Sequence, residues 1–106
     1  MVSVLLCYYM IRSFAELGTE DLFNGRNSKV ARHRLPRELW KRALNKLSLL
    51  DYAAGLSDVG NVPGNRLEAL KGDRKGQHSI RLNERYRICF RWTEVGPKDV
   101  GVVDYH

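Results

Sequence analysis

The second half of this 106-residue sequence combines basic residues with groups that can transfer protons. Arg87 and Arg91 alternate with apolar residues in a segment typical of a β-strand, and Lys71 precedes a turn with further basic residues. The chain end reads Asp104-Tyr105-His106 and offers an acid, a phenol and an imidazole with an ordinary pKa near ~6.5. This set fits metal-free cleavage of an RNA phosphodiester. The substrate's 2′-hydroxyl is then the nucleophile, and the protein supplies a base, an acid and phosphate-binding cations.

Other chemistries find no support in the residue pattern. The sequence contains no Walker A motif and no dinucleotide-binding motif, so nucleotide cofactors have no recognisable site. No serine lies in a nucleophile-elbow motif, and the three histidines and two cysteines lack metal-ligand spacing. We therefore expect neither a cofactor nor a bound metal.

Positive charge is concentrated in two blocks of the chain, which carries a net charge of +6. Residues 26–46 contain eight basic residues and one acidic residue, and residues 66–91 contain eight basic and three acidic residues. If the blocks converge on one surface they attract RNA phosphates, whereas two separate solvated faces bind nothing. On the first interpretation, a set of basic side chains contacts RNA: Arg32, Arg34, Arg37, Arg74, Lys75, Arg81 and Arg91.

The first half of the chain predicts a strand followed by two helices. Residues 3–14 are rich in β-branched, aromatic and apolar types and are typical of a strand. Thr19 suits the N-cap of a short helix that ends near Asn24-Gly25, and a polar basic stretch follows. Pro36 suits the first turn of a second helix, which ends near Tyr52. Its apolar stripe has helical spacing: Leu39, Trp40, Ala43, Leu44, Leu47 and Leu50.

The second half of the chain predicts β structure after a loop over residues 57–65. Residues 66–70 form a short alternating segment, strands are expected at 77–82, 86–93 and 99–105, and turns at 71–76, 83–85 and 94–98. The whole chain, residues 1–106, is therefore predicted to be one α+β domain. Its order is β-α-α-β-β-β, an antiparallel sheet with two helices packed on one face.

The N-terminal segment bears on cellular location. Its longest apolar run, residues 4–11, is too short to span a bilayer, and no positively charged segment precedes it as in a signal peptide. We therefore expect a cytoplasmic protein with no membrane partner. Met10 begins a segment that alternates like a first strand, so residues 1–9 are interpreted as an extension, with translation starting at Met1 or Met10.

Four blocks of the sequence stand in a recognisable order and spacing. They read RLEALKGDR (66–74), GQHSIR (76–81), YRICFRW (86–92) and VDYH (103–106). These blocks resemble the LKGDR-x-G-x-x-SI, [YW]RI-x-F and DYH blocks of the HigB toxins, the plasmid maintenance system killer proteins of the RelE superfamily. Residues 10–14 resemble the opening strand of that family, so the resemblance covers nearly the whole chain from Met10.

The resemblance implies a RelE-like fold and a function in translation. It implies the toxin of a type II toxin–antitoxin pair, a ribosome-dependent endonuclease that cuts mRNA in the ribosomal A site. The implied partners are the ribosome, mRNA and a HigA-type antitoxin with a helix-turn-helix domain. Operator DNA is bound only through the complex with the antitoxin.

The resemblance also implies roles for individual residues. Lys71 binds and stabilises the phosphate and Arg87 stabilises the transition state. Asp104, Tyr105 and His106 lie at the cleavage point, with His106 as the proton carrier. Some members of the family have a histidine three residues before the motif lysine, where this chain has Glu68. A carboxylate can act as a base for the 2′-hydroxyl but supplies no positive charge.

Two other functions remain compatible with the sequence. One is a basic RNA- or ribosome-binding module without catalysis, and the other is a partner subunit whose basic surface only docks an acidic antitoxin. Cleavage of mRNA in a translating extract, and its loss in His106→Ala, would separate an enzyme from both.

Overall fold

A computed structural model of the chain describes residues 10–104, which form an α+β fold. Four α-helices come first among these residues: α1 (Leu17–Phe23), α2 (Lys29–Arg34), α3 (Trp40–Tyr52) and α4 (Leu56–Gly60). Four strands follow and make one antiparallel sheet in sequence order: β1 (Glu68–Ala69), β2 (His78–Arg81), β3 (Tyr86–Thr93) and β4 (Gly96–Asp104). The predicted fold class is confirmed, whereas the predicted number of two helices is wrong.

The first helix begins three residues before the predicted position, because Glu16 and not Thr19 is its N-cap. The Glu16 carboxylate accepts hydrogen bonds from the backbone N–H of Thr19 (2.8 Å) and from the Thr19 hydroxyl. Thr19 is fully buried, and its hydroxyl accepts a hydrogen bond from the backbone N–H of Val102 in β4 (3.0 Å). The hydroxyl predicted to cap α1 therefore connects the helix to the sheet instead.

Two short helices occupy segments that were predicted to be irregular. Helix α2 lies in the polar basic stretch and begins at the Ser28 side chain, which accepts a hydrogen bond from the N–H of Ala31 (3.1 Å). Ala31 is the one buried residue of α2, so the helix has almost no apolar stripe to recognise. Helix α4 lies within the predicted loop and buries only Val59. Both helices depend on tertiary contacts rather than on local periodicity.

The long helix α3 confirms most of the predicted apolar stripe, but Leu44, which was assigned to that stripe, is exposed. A 3-10 turn over Arg37–Leu39 precedes it, and Ala43, Leu47 and Leu50 are fully buried. Its stripe packs against one face of the sheet, which contributes buried Ile80, Ile88, Phe90, Val100 and Val102. The helices therefore cover this face of the sheet, as predicted.

The strands of the sheet follow the predicted alternation, with one turn shorter than expected. Strand β3 has the predicted bounds, whereas β4 begins at Gly96, inside the predicted 94–98 turn. The tight turn is closed by the Thr93 hydroxyl, which donates to the Gly96 carbonyl (2.6 Å) and accepts from the Val95 N–H (3.2 Å). Gly96 has φ +122°, a conformation that glycine adopts without steric cost.

The segment before α1 lies beside β4 in parallel orientation. Phe14 forms a single parallel bridge with Val100. Three backbone hydrogen bonds support it: Arg12 N to Pro97 O (2.8 Å), Ala15 N to Val100 O (2.8 Å) and Val100 N to Ser13 O (3.1 Å). The predicted first strand is thus reduced to a bridge within the described residues, and its residues 3–9 lie outside them.

The two faces of the sheet differ, because successive side chains on a strand point to opposite sides. One face packs on the helices, and we call the other the outer face. The registers Glu68↔Ser79, Ser79↔Cys89 and Arg87↔Val103 place these residues together on the outer face. It carries a polar and charged row instead of a second core.

The buried hydroxyl of Thr19 gives a test of how α1 is attached to β4. We expect Thr19→Val to lower the free energy of unfolding by about 1–3 kcal/mol, because the Val102 N–H loses its partner at constant side-chain volume. For a domain of this size, each kcal/mol lowers Tm by roughly 4–8 °C. Ser57→Ala, at an exposed position, is the control. Equal melting temperatures for the two variants would contradict the role of this hydrogen bond.

Candidate functional site

The centre of the outer face is an arginine held by four protein groups. Nε of Arg87 donates to the Ser79 hydroxyl (2.7 Å), and Nη2 donates to the carbonyls of Arg66 (2.7 Å) and Ser79 (3.5 Å). The Glu68 carboxylate lies 3.7 Å from Nη2. Only 12% of the Arg87 side chain is exposed, so its guanidinium is fixed in orientation before any ligand arrives.

A carboxylate accompanies this arginine at the edge of the sheet. Glu68 lies on β1 opposite Ser79, and 59% of its side chain is exposed. The structure therefore brings together two of the predicted catalytic residues, Glu68 and Arg87. An exposed carboxylate beside a fixed guanidinium can accept a proton next to a site that holds a phosphate.

The predicted phosphate-binding lysine begins the turn that joins β1 to β2. Lys71 is exposed and stands just before the 3-10 turn Gly72–Arg74. Gly72 and Gly76 have φ values of +63° and +92°, which glycine adopts without steric cost. The ammonium of Lys71 makes no hydrogen bond or ion pair to residues 10–104, so it remains available to a ligand.

The end of β4 is arranged differently from the predicted cleavage point. Asp104 lies opposite Tyr86, and its carboxylate forms two hydrogen bonds with Arg85 (2.9 and 2.7 Å). These hydrogen bonds, and then the charge of Asp104, raise the pKa of Arg85. Strand alternation puts Asp104 on the face opposite Val103 and Arg87. Tyr105 and His106 lie outside the described residues.

A small cleft on the outer face receives one arginine from each basic block. It has a volume of about 140 Å³ and is lined by Arg34 and Arg74 above Cys89 and Gly101. Arg34 is already bound to Glu16 (3.2 Å) and to the Val102 carbonyl (3.3 Å), so it holds α2 against α1 and β4. Burial raises the pKa of the Cys89 thiol, while the charges of Arg74 and Arg87 oppose that shift.

The remaining basic residues that were predicted to contact RNA are distributed over several parts of the structure. Arg81 donates to the Asn83 carbonyl (3.2 Å), Arg91 lies 3.5 Å from Asp99, and Arg74 donates to Gln77 (3.1 Å). Lys75 is exposed in the turn after β1. Arg32 binds Asn27 within its own segment, and Arg37 lies 5.5 Å from the ring centre of Trp40. Both thus make local contacts in the helical part.

Four residues of this region were missed by sequence reasoning. Ser79 and the carbonyl of Arg66 orient Arg87, Arg85 holds Asp104, and Arg42 lies beside Arg66 and Arg81 in a cleft. Ser79 and Arg66 were within the quoted sequence blocks, but their role follows only from the pairing of β1, β2 and β3. Arg42 was on the polar side of a helix, where a solvated charge is the ordinary case.

Neither a metal centre nor a membrane span appears in the part of the chain that the structure describes. Within residues 10–104, no group of three or more His, Cys, Asp or Glu is placed to hold a metal ion. No helix within the same residues is long and apolar enough to cross a bilayer.

Comparison with known proteins identifies the family. A family model described as the RelE-like toxin of the type II toxin–antitoxin system HigB matches residues 12–106. Toxin HigB-1 of Vibrio cholerae serotype O1 is 45% identical over 64 residues, which are 59% of this chain and 67% of that protein. Endoribonuclease HigB of Proteus vulgaris is 30% identical over 97 residues, which are 92% of this chain and 100% of that protein. The chain belongs to the HigB-like family of type II toxins, and an antitoxin is therefore its partner.

Proposed function

We propose that this toxin is an endoribonuclease that cuts mRNA in the ribosomal A site and thereby inhibits translation. The observation that carries the proposal is the pair of Glu68 and Arg87, with the guanidinium fixed by Ser79 and the Arg66 carbonyl. A relative named Endoribonuclease HigB, aligned over 92% of this chain, supports the activity. The two basic blocks support RNA as the substrate.

The proposed reaction needs only the substrate's own nucleophile and protein side chains. Glu68 takes the proton of the 2′-hydroxyl, and the 2′-oxygen attacks the neighbouring phosphorus. Arg87 and Lys71 stabilise the charge that develops on the phosphate oxygens. The bond from phosphorus to the 5′-oxygen breaks, and His106 donates the proton that this oxygen needs. The products are a 2′,3′-cyclic phosphate and a 5′-hydroxyl.

The remaining members of the predicted site have supporting roles in this proposal. Asp104, which pairs with Arg85 on the face opposite Arg87, acts in this proposal by positioning the chain end rather than at the phosphate. Tyr105 acts at the cleavage point beside His106. Arg32, Arg34, Arg37, Arg74, Lys75, Arg81 and Arg91 contribute positive charge toward RNA. The ribosome places the message, and a HigA-type antitoxin with a helix-turn-helix domain neutralises the toxin and carries operator DNA binding. Because ribosomes are the site of action, we place the protein in the cytoplasm.

The test is single-turnover cleavage of one mRNA, free and on programmed ribosomes. We expect cleavage on ribosomes, with a 2′,3′-cyclic phosphate end, and none of the free message. A message with a 2′-deoxy nucleotide at the cleavage point should stay intact. A phosphorothioate at the scissile phosphate should show no selective rescue by Mn²⁺, because no metal contacts that oxygen.

For each part of this experiment, one result would contradict the corresponding part of the proposed function. Cleavage of the 2′-deoxy message would exclude attack by the 2′-hydroxyl, and Mn²⁺ rescue would exclude the metal-independent mechanism. Equal cleavage of free mRNA would exclude ribosome dependence. Ribosome binding without any cleavage would favour the non-catalytic RNA-binding module.

A further inference from the structure

Two clefts adjoin at the end of the sheet where β2 turns into β3. Their volumes are about 420 and 260 Å³, and both are lined by Arg66, Arg81, Asn83 and Glu84. The smaller cleft extends to Arg87 and Glu68, and the larger one extends away from them to Arg42. We call the two together the hairpin groove.

The groove is positively charged, and protein groups accept only some of the hydrogen bonds that its arginines can donate. Four arginines line it against two glutamates, Glu68 and Glu84. Arg42 donates one hydrogen bond to the Leu82 carbonyl (3.1 Å), and Nε of Arg81 donates one to the Asn83 carbonyl (3.2 Å). The guanidinium of Arg66 makes no hydrogen bond or ion pair to residues 10–104. A guanidinium has five N–H donors, so most of these donors remain for a ligand.

The backbone beneath the groove is held rigidly. Asn65 is fully buried, donates to the Val59 carbonyl (2.9 Å) and accepts a hydrogen bond from the Lys46 ammonium. The backbone carbonyl of Asn65 also accepts from the N–H of Arg81 (2.6 Å). These bonds fix Arg66, which adopts a φ of +48°, a conformation uncommon outside glycine. The groove is therefore formed before any ligand binds.

We propose that the hairpin groove binds the mRNA phosphate adjacent to the scissile one, through Arg42 and Arg66. The inference rests on the proposed function, because Arg87 at the inner end of the groove is the group assigned to the scissile phosphate. When the scissile phosphate of an RNA strand lies at Arg87, the adjacent phosphate of that RNA lies in the same continuous groove. Arginine forks match the oxygens of a phosphodiester. Arg42 lines only the cleft that extends away from Arg87, and Arg66 lines both clefts.

The test is the binding and cleavage of mRNA on programmed ribosomes by the double variant Arg42→Gln/Arg66→Gln. We expect the half-saturating toxin concentration to rise about tenfold. The rate of cleavage at saturation should stay within threefold of wild type, because glutamine at position 66 keeps the backbone carbonyl that orients Arg87. The slope of log affinity against log salt should fall in magnitude by about 0.7, the value for one phosphate contact on a single strand. Arg12→Gln, which removes an exposed arginine elsewhere, should change neither quantity.

A neutral phosphate analogue identifies the RNA that is bound. A methylphosphonate next to the scissile phosphate should weaken the wild type about tenfold and leave the double variant unchanged. If the analogue weakens both proteins equally, the groove does not bind that phosphate and the proposal is overturned. A double variant indistinguishable from Arg12→Gln would overturn it as well, provided that both proteins melt within two degrees of wild type. Failure of wild type to cut mRNA would instead contradict the proposed function.

Discussion

Replacing Arg87 with alanine should lower the rate of mRNA cleavage at least ~100-fold, the usual loss when one stabilising donor is removed from a transition state. The guanidinium of Arg87 is nearly buried and oriented by Ser79 and the Arg66 carbonyl, so in the proposed reaction it needs no reorganisation to stabilise the phosphate. Arg87→Lys should recover only part of the rate. One ammonium cannot bond Ser79 and the Arg66 carbonyl and also bind a phosphate with a planar fork. Single-turnover cleavage on programmed ribosomes measures the three rates.

The same substitution also affects stability, and the two effects need to be separated. Alanine leaves the carbonyl of Arg66 and the hydroxyl of Ser79 without their donor, which costs about 1–3 kcal/mol where these groups are shielded from water. The assay should therefore run well below the Tm of every variant. Arg12→Lys, at an exposed site, is the control for the replacement of an arginine by a lysine. A cleavage rate of Arg87→Ala within threefold of wild type would remove Arg87 from the reaction.

The fold could be predicted wherever an element has its own hydrophobic period. In strand β3, Ile88 and Phe90 share one face and Arg87 and Arg91 the other, and α3 repeats Ala43, Leu47 and Leu50 at helical spacing. Both patterns predict their element. Helices α2 and α4 have one buried residue each and therefore no period to detect. Their formation depends on contacts with distant parts of the chain, which a local pattern does not contain.

The sequence predicted which residues belong to the site but not which of them are in contact. Residue type and the family resemblance indicate which basic and acidic residues belong to the site, whereas strand register determines which of them are in contact. A shift of one residue between β1 and β2 would move Glu68 away from Arg87. The register Tyr86↔Asp104 likewise brings Asp104 to Arg85, a contact that no spacing in the sequence indicates.

The convergence of the two basic blocks is visible only in three dimensions. Arg42 from the first block lies in one cleft with Arg66 and Arg81 from the second. Arg34 and Arg74 meet in the same way in another cleft. The packing of helices on the sheet brings these residues together although they are far apart in sequence. Charge counts along the chain therefore could not distinguish this arrangement from two separate solvated faces.

The His106 imidazole gives the second large effect that we expect. His106→Ala should lower cleavage at least ~100-fold, the scale for loss of a general acid. The melting temperature should stay within a couple of degrees, because β4 is held by buried Val100 and Val102 and by the pair of Asp104 with Arg85. His33→Ala, which removes an exposed histidine of α2, is the matched control and should retain full activity.

A change of leaving group separates the acid role of His106 from other roles. With sulfur in place of the 5′-oxygen at the cleavage point, the leaving thiolate needs no proton, so a general acid becomes dispensable. His106→Ala should then cut this message at nearly the wild-type rate, while Arg87→Ala should remain slow because phosphate stabilisation is still required. If His106→Ala stays ~100-fold slow on the sulfur substrate, the imidazole is not the acid. If it cuts the ordinary message at the wild-type rate, His106 takes no part in the chemistry, and the proton for the leaving 5′-oxygen must come from another group.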